Sequence, residues 1–345
     1  MNPINVAVIG AGYWGPNLVR NLLSIPDCRL VAVCDKSSGR RSYIEEKFPH
    51  VRTVASLDDV VSDANIQAVF VVTPVSTHES IATAAIEAGK HVFVEKPLAG
   101  SAEEASRLVA LAEKKNRTLA VGHLFAYHPA ITTLKEMADR GEIGRLCYAE
   151  SGRINLGPPA SEVDVIWDLA VHDIAILLYL TGEQPAEVVA YGSRVLHPTL
   201  RDVAFIRVQF PSGFFSQHHV SWMSPDKVRR FSVFGSNGSL CFDDMAPNGK
   251  LRFVDRGIDT RVNLKDNEKK ELAYKPGRVE FPELPSGEPL NLECRHFLDC
   301  VKEGRTPRTD GRVGLTVVRV LESALRSIAG NSRPVLLEEN LTASR

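Results

Sequence analysis

The 345-residue sequence has no run of the roughly 18 apolar residues that a membrane-spanning helix requires. It has no Cys-x-x-Cys pair among its six cysteines, Cys28, Cys34, Cys147, Cys241, Cys294 and Cys300. Zinc-knuckle and thioredoxin-like spacings are therefore absent, and no metal is expected. Two of the cysteines sit in strand-like runs, which favours buried thiols over disulfides. The sequence also lacks an excess of charge: 41 Lys and Arg against 42 Asp and Glu leave a formal net charge of -1. Neither nucleic acid nor a membrane surface is an expected partner. There is no internal repeat and no low-complexity tail. What remains, 44% hydrophobic and 24% charged residues, is the composition of a soluble globular protein long enough for two cores. The segment Met1-Asn2-Pro3-Ile4-Asn5 enters a strand almost at once. That start reads as one without a signal peptide and gives the expectation of a cytoplasmic protein.

The first third alternates short β-branched runs with helical segments. Strands are expected over 6–10, 30–35, 68–73, 91–95 and 118–121, with the clearest helix over 101–115. Continuous apolar strands separated by amphipathic helices indicate a doubly wound parallel sheet, covered on both faces. After about residue 125 the pattern changes. Helices are expected over 129–140 and 165–180, strands over 146–153, 186–195, 203–210, 214–221, 229–235 and 239–242, and a long irregular loop over 265–289. Turn signals at Pro211-Ser212-Gly213 and Ser236-Asn237-Gly238 predict antiparallel neighbours. Two helices, over 290–303 and 311–329, close the chain. The expected organisation is α/β: a dinucleotide-binding domain over 1–124 and an α+β domain with an open, mainly antiparallel sheet over 125–345.

The first strand runs into "GAGYWG", in which Gly10, Gly12 and Gly15 match the dinucleotide fingerprint and Tyr13 and Trp14 fill the loop. Gly10 makes the tight turn, Gly12 admits a pyrophosphate to the backbone, and Gly15 lets the following helix pack closely. Asp35 follows Gly15 by twenty positions at the end of the second strand, where a carboxylate accepts hydrogen bonds from a ribose and repels a 2′-phosphate. NAD is the expected cofactor. Lys36, Arg40 and Arg41 lie beside Asp35 and are residues of the kind that accommodates a 2′-phosphate, so NADP stays open.

Ligands of open α/β sheets lie outside the carboxyl ends of the strands. Three later strands end there in "TPVSTH" (Thr73, Pro74, His78), "EKP" (Glu95, Lys96, Pro97) and "GHLFAYHP" (with His123 and Tyr127). Taken singly, a Glu-Lys pair is a solvated turn and a histidine caps a helix. Taken together with the glycine loop, they assign Lys96 to the place of a nicotinamide ring.

"GAGYWG", "TPVSTH", "EKPLA", "VGH" and the late "DGRVGLTVVRVLES" resemble, over nearly the whole chain, the Gfo/Idh/MocA family of glucose-fructose oxidoreductase and myo-inositol dehydrogenase. The resemblance implies a Rossmann domain and an open-faced second domain. It also implies a lysine at Lys96 beside nicotinamide and substrate hydroxyl, a cis bond before Pro97, and a D-x-x-x-H pair at Asp168 and His172 within "WDLAVHD". A further Asp common three residues after that histidine is replaced by Ala175. Asp168 and His172 share a helix face. An imidazole, with a free pKa of about 6.5, suits proton exchange at neutral pH, and a cation at Lys96 suits the developing alkoxide. The start and the "WDLAVHDI" helix look most like members acting on nucleotide-linked sugars. In that reading His123, Tyr127, Arg153, Asn155, Trp167 and His172 line the substrate site, and Arg153, Asn155, Lys227, Arg229 and Arg230 help hold a diphosphate. Free inositol or a monosaccharide is the alternative substrate. From another class, a non-catalytic dinucleotide-binding regulator is the competing reading, against which Lys96, Asp168 and His172 stand. Apolar alternation at 203–206 and 214–215 predicts a sheet face used by a homodimer or homotetramer.

Overall fold

A computed structural model describes residues 3–157, 163–255, 257–258, 274–275 and 277–337. Much of the loop expected over 265–289 lies outside the described residues. The chain divides into two compact units, Met1–His128 with Gly287–Glu322, and Pro129–Ser286 with Ser323–Arg345.

The strands of the first unit are β1 (Ile4–Ile9), β2 (Cys28–Cys34), β3 (Thr53–Val54), β4 (Ala68–Val71), β5 (His91–Glu95) and β6 (Leu119–Gly122). They form one parallel sheet in the order β3-β2-β1-β4-β5-β6. The order reverses between β1 and β4, and this switch point is where such sheets take ligands. The helices are α1 (Gly15–Leu23), α2 (Ser38–Lys47), α3 (Asp58–Val61), α4 (His78–Glu87) and α5 (Ala102–Lys114). Two short 3₁₀ turns, Val75–Thr77 and Leu124–Tyr127, follow β4 and β6. The β1, β4 and β5 strands are buried almost throughout, as the apolar runs require.

The next two helices are α6 (Pro129–Asp139) and α7 (Val171–Thr181). They belong to the second unit. Its strands are β7 (Leu146–Leu156), β8 (Glu187–Ser193), β9 (Val203–Gln209), β10 (Phe215–Ser221), β11 (Met223–Gly235), β12 (Ser239–Asp243), β13 (Leu251–Val254), the pair β14 (Gly257–Ile258) and β15 (Tyr274–Lys275), β16 (Val279–Glu280) and β17 (Val335–Leu336). Nine of them make a sheet in the order β16-β13-β12-β11-β7-β10-β9-β8-β17. Every pairing is antiparallel except β7 with β10, because β7 inserts between the consecutive strands β10 and β11. One face is covered: Ala204, Ile206 and Val208 of β9 are buried, whereas Phe205 and Arg207 between them are exposed. The helix expected over 165–180 begins as a π turn, Ile166–Ala170, before α7. Asp164 Oδ1 accepts the Ile166 N–H at 3.1 Å at its start.

The last helices are α8 (Pro289–Glu303) and α9 (Gly311–Ala329). A linear division at residue 124 assigns α8 to the second domain; its apolar stripe packs instead in the first unit. The Phe297 ring meets Phe70 at 5.3 Å and Phe93 at 5.7 Å, edge-on, in a core shared with Leu290, Cys294 and Leu298. The helical spacing of these residues buries one face against the sheet, and the long return of the chain is invisible to a residue-by-residue reading.

Candidate active site

The glycine loop answers each demand placed on it. Gly10 has φ of 106°, and a Cβ there would stand 2.4 Å from the Val72 carbonyl oxygen. A Cβ on Gly12 would meet nothing within 4 Å, so the backbone faces open space at the one position where a pyrophosphate must approach. The α1 helix follows with no side-chain cap and no acidic residue in its first turn, leaving its N–H groups and positive dipole end for an anion. These features fit a dinucleotide. Tyr13 is 91% exposed.

Asp35 buttresses this loop. Its Oδ2 accepts the Ala11 N–H at 2.7 Å and its Oδ1 the Ser37 N–H at 2.8 Å. Arg41 donates to the Asp35 and Lys36 carbonyls at 2.8 and 3.1 Å, so this guanidinium braces the turn, while Lys36 and Arg40 are exposed.

The expected histidine of the "TPVSTH" ending is corrected in role. His78 is buried, with Nδ1 2.8 Å from the Pro97 carbonyl oxygen and Nε2 2.8 Å from that of Thr73. The ring bridges the ends of β4 and β5; burial lowers its pKa against the pull of the two carbonyls, so the neutral imidazole donates its one N–H to one of them. Thr73 Oγ1 accepts from the Thr77 hydroxyl at 2.8 Å, and Pro74 precedes the 3₁₀ turn. The Lys96-Pro97 bond is cis, and Lys96 is half-buried. Glu95 Oε2 accepts the Lys96 N–H at 3.1 Å. The Trp14 indole N–H faces the Glu95 carboxylate without closing a well-formed hydrogen bond. Burial raises the Glu95 pKa against the pull of Lys96.

Two residues expected to line the substrate site are inside the first unit. His123 is 1% exposed, and burial, with Lys96 adding to it, holds its imidazole down at about 3. Tyr127 is buried under Arg308, whose guanidinium lies 4.8 Å from the ring centroid, and its hydroxyl is 3.2 Å from Thr309 Oγ1. Residue 309 lies 182 positions away, so nothing local in the sequence signals this burial.

In the second unit Asp168 Oδ2 accepts the Trp222 indole N–H at 3.1 Å, a partner sequence reading missed. Asp168 and His172 are half-buried, and Trp167 is buried. The π turn at Ile166–Ala170 contains Asp168 and leads directly to His172, and such turns concentrate at functional sites. Arg153 is corrected: it is buried and binds Asp173 Oδ1 through Nη2 at 2.7 Å and Nε at 3.2 Å. The Ser151 hydroxyl donates to Asp173 Oδ2 at 3.0 Å and stands 2.7 Å from His218 Nδ1, while Ser216 Oγ is 2.8 Å from His218 Nε2. With Ser151 donating to Asp173, His218 Nδ1 carries the proton and Nε2 accepts from Ser216, a neutral tautomer. Burial holds this imidazole at about 4. Asn155 donates to the Leu156 carbonyl at 2.9 Å. Arg229 and Arg230 meet Asp244 and Asp243 at 3.3 and 2.7 Å, and Lys227 is exposed.

A cavity of about 390 Å³ opens in the first unit at the start of β5 and β6, lined by His91, Arg117, Arg305 and Arg312 among others. It lies at the opposite sheet edge from the glycine loop. No cluster of three or more potential metal ligands occurs among the described residues.

Comparison with known proteins follows the same division. Residues 4–123 match the model of the oxidoreductase family with an NAD-binding Rossmann fold, and residues 131–241 that of the GFO/IDH/MocA C-terminal domain. The UDP-N-acetylglucosamine 3-dehydrogenase of Acidithiobacillus ferrooxidans is 30% identical over 325 residues, covering 94% of this chain and 96% of that protein. Its solved structure superposes with a TM-score of 0.82 at 25% identity, covering 96% and 100% of the two chains. The scyllo-inositol 2-dehydrogenase (NAD(+)) of Bacillus subtilis is 29% identical, covering 97% and 96%. GenD2 from gentamicin A biosynthesis, solved in complex with NAD, has a TM-score of 0.81 at 26% identity and covers 98% and 97%. The glycine loop, the buttressed Asp35, the cis Lys96-Pro97 turn and these full-length likenesses agree, and the chain belongs to the Gfo/Idh/MocA family of NAD-binding oxidoreductases.

Proposed function

We propose that this protein catalyses the reversible oxidation of a secondary alcohol on the ring of a nucleotide-linked sugar. When bound, NAD supplies the hydride acceptor. Lys96 presents its ammonium to the hydroxyl oxygen and stabilises the charge that develops as the proton leaves. His172 takes that proton, and Asp168, held by Trp222, supports the orientation of the helix turn that carries them. The observation that carries this reading is the pairing of an open-faced glycine loop with the Glu95-Lys96-Pro97 turn at the end of β5 on one sheet edge. The nucleotide-sugar class is supported by the likeness to UDP-N-acetylglucosamine 3-dehydrogenase over 94% of the chain. The comparable likeness to scyllo-inositol 2-dehydrogenase over 97% of the chain favours a free cyclitol as second reading.

Purified protein assayed for NAD reduction with UDP-hexosamines, UDP-hexoses, inositols and free hexoses tests both. A kcat/KM for one nucleotide sugar at least about tenfold above every free polyol is the expected result. The reverse order assigns the cyclitol class, and retention of NAD with no turnover on any of them moves the protein to the regulatory class.

A homo-oligomer formed through the open sheet face of the second unit is part of the same proposal. Tyr191 is 61% and Phe205 40% exposed there. Phe205 stacks on His219 at 4.4 Å, Tyr148 on Phe234 at 4.4 Å, and Arg207 lies 5.1 Å from the Phe215 centroid. An aromatic layer of this kind is interface material. A cytoplasmic location is supported by six unpaired cysteines.

A further inference from the structure

The cavity of about 390 Å³ lies where β5 and β6 begin, and its size is that of a pocket for a small molecule. It is built within the first unit by the end of α5, the starts of the two strands and the turn between α8 and α9. The Asp310-Gly311-Arg312 opening of the late sequence segment forms part of its wall, a landmark to which the dinucleotide site gives no use. Three guanidinium groups line it, and they are not equivalent. Arg312 pairs with Glu113 at 2.6 Å and Arg305 with Glu303, all four side chains about half exposed or more. Arg117 has no such partner: its Nη1 reaches only the neighbouring Asn116 carbonyl, at 3.4 Å, and its Nε is buried without a hydrogen bond. Among the described residues no carboxylate pairs with it. The group lies beside Gly89, just ahead of β5, where a Cβ would stand 3.8 Å from Arg117 Nη2.

His91 opens β5 and also lines the cavity. Its Nδ1 accepts the Thr118 N–H at 3.0 Å, so the neutral ring carries its proton on Nε2. Burial, with Arg117 adding to it, holds this imidazole down at about 4, and the ring is neutral at pH 7. Arg117 and His91 thus bring N–H donors and an uncompensated positive charge to the lining. The other polar groups have the opposite character. Glu113 is a half-exposed acceptor, and Asp310 keeps one oxygen, Oδ1, on the Val313 N–H at 2.9 Å. Val109, Ala112 and Leu119 add apolar surface. A buried guanidinium nitrogen without a partner is rare in a folded chain and calls for a ligand, an ion or water.

We propose that this cavity is a second ligand site, taking a small hydroxylated organic anion, a sugar phosphate or a sugar acid, with its oxyanion on Arg117 and its hydroxyls donating to Glu113 and Asp310. The guanidinium fork matches two oxygens of a phosphate or carboxylate, and the carboxylates of the lining accept only from donors, which the hydroxyls supply. Inorganic phosphate lacks the carbon frame, and a neutral sugar lacks the anion. The site stands at the sheet edge opposite the glycine loop, so it is independent of the proposed reaction.

Isothermal titration of the full chain saturated with NADH, which fills the glycine loop and cannot oxidise the probes, tests it. The probes are glucose 6-phosphate, gluconate, inorganic phosphate and glucose. Saturable binding of glucose 6-phosphate or gluconate is expected, with a Kd of about 1 mM or tighter and at least about tenfold below those of inorganic phosphate and glucose. Which of the two binds tells a phosphate site from a carboxylate site. Arg117→Met should weaken that binding by about tenfold or more, and Arg117→Lys, which keeps the charge and loses the fork, by about threefold or more, with NADH affinity unchanged in both. Absence of saturable binding by both organic anions overturns the proposal, as does inorganic phosphate or glucose binding equally well. Affinity unchanged in Arg117→Met places the anion elsewhere and also overturns it; if that variant does not fold, Arg117→Lys decides by the same criterion.

Discussion

In the second unit Arg153, Asp173, Ser151, His218 and Ser216 join into a buried chain in which each hydrogen bond finds its partner. In the first unit Glu95 Oε1, both ring nitrogens of His123 and both carboxylate oxygens of Glu293 are buried with none. A closed polar network is rigid, since each member is left unsatisfied if another moves. Open buried groups are costly when charged, and in the first unit Glu95 and His123 lie within the electrostatic reach of Lys96. The contrast is between a scaffold that fixes a helix by saturation and a turn that holds charged and polar groups with few hydrogen-bond partners.

Lys96→Met breaks the first half of the comparison most severely. Turnover should fall about 10²- to 10⁴-fold, with NAD affinity, measured by fluorescence titration, changing by less than about threefold. Asp173→Ala breaks the other half by removing the carboxylate that binds the buried Arg153 guanidinium through two N–H groups, at a cost of about 3–5 kcal/mol in urea unfolding. The double replacement Arg153→Met with Asp173→Leu should recover most of that loss, which separates a closed network from a merely crowded one. Gly12→Ala should weaken NAD binding by about tenfold, roughly 1.4 kcal/mol, while leaving the melting temperature nearly unchanged, because the new methyl meets no protein atom.

The smallest signal is in pH. His218 and His123 are held down at about 4 and about 3, so the unfolded chain, with imidazoles near 6.5, binds more protons. The stability they contribute is complete above about 6.5 and is lost as pH falls through their folded values. Glu293 has the opposite sign. Its raised folded pKa gives stability complete below the ordinary value of 4.5 and lost as pH rises through the folded value. Glu293→Gln should flatten only the rising-pH limb of a melting-temperature profile; flattening of the acid limb instead would contradict the raised pKa of this buried carboxyl.

The parts legible in the sequence were those dictated by local backbone. Gly10, Gly12 and Gly15 stand where strand gives way to helix, and Asp35 ends the strand beside them, so spacing alone locates the loop. The burial of Tyr127 and Arg153 was not legible, because it depends on partners far along the chain, Thr309 for one and Asp173 for the other. The insertion of β7 beside β10 is similarly non-local, and the π turn shares its apolar pattern with an ordinary helix. Glu293 did leave a trace: a carboxylate interrupting the stripe Leu290, Cys294, Phe297 and Leu298.

The Phe70, Phe93 and Phe297 rings also bear on synthesis. A ribosome delivers β4 and β5 some two hundred residues ahead of α8. Until that helix emerges, the nascent sheet presents two uncovered phenylalanines to solvent, and the nucleotide-binding half reaches its final packing only after α8 has been made. Early chaperone capture of the nascent chain, released once residue 322 has cleared the exit tunnel, is the expected order of events.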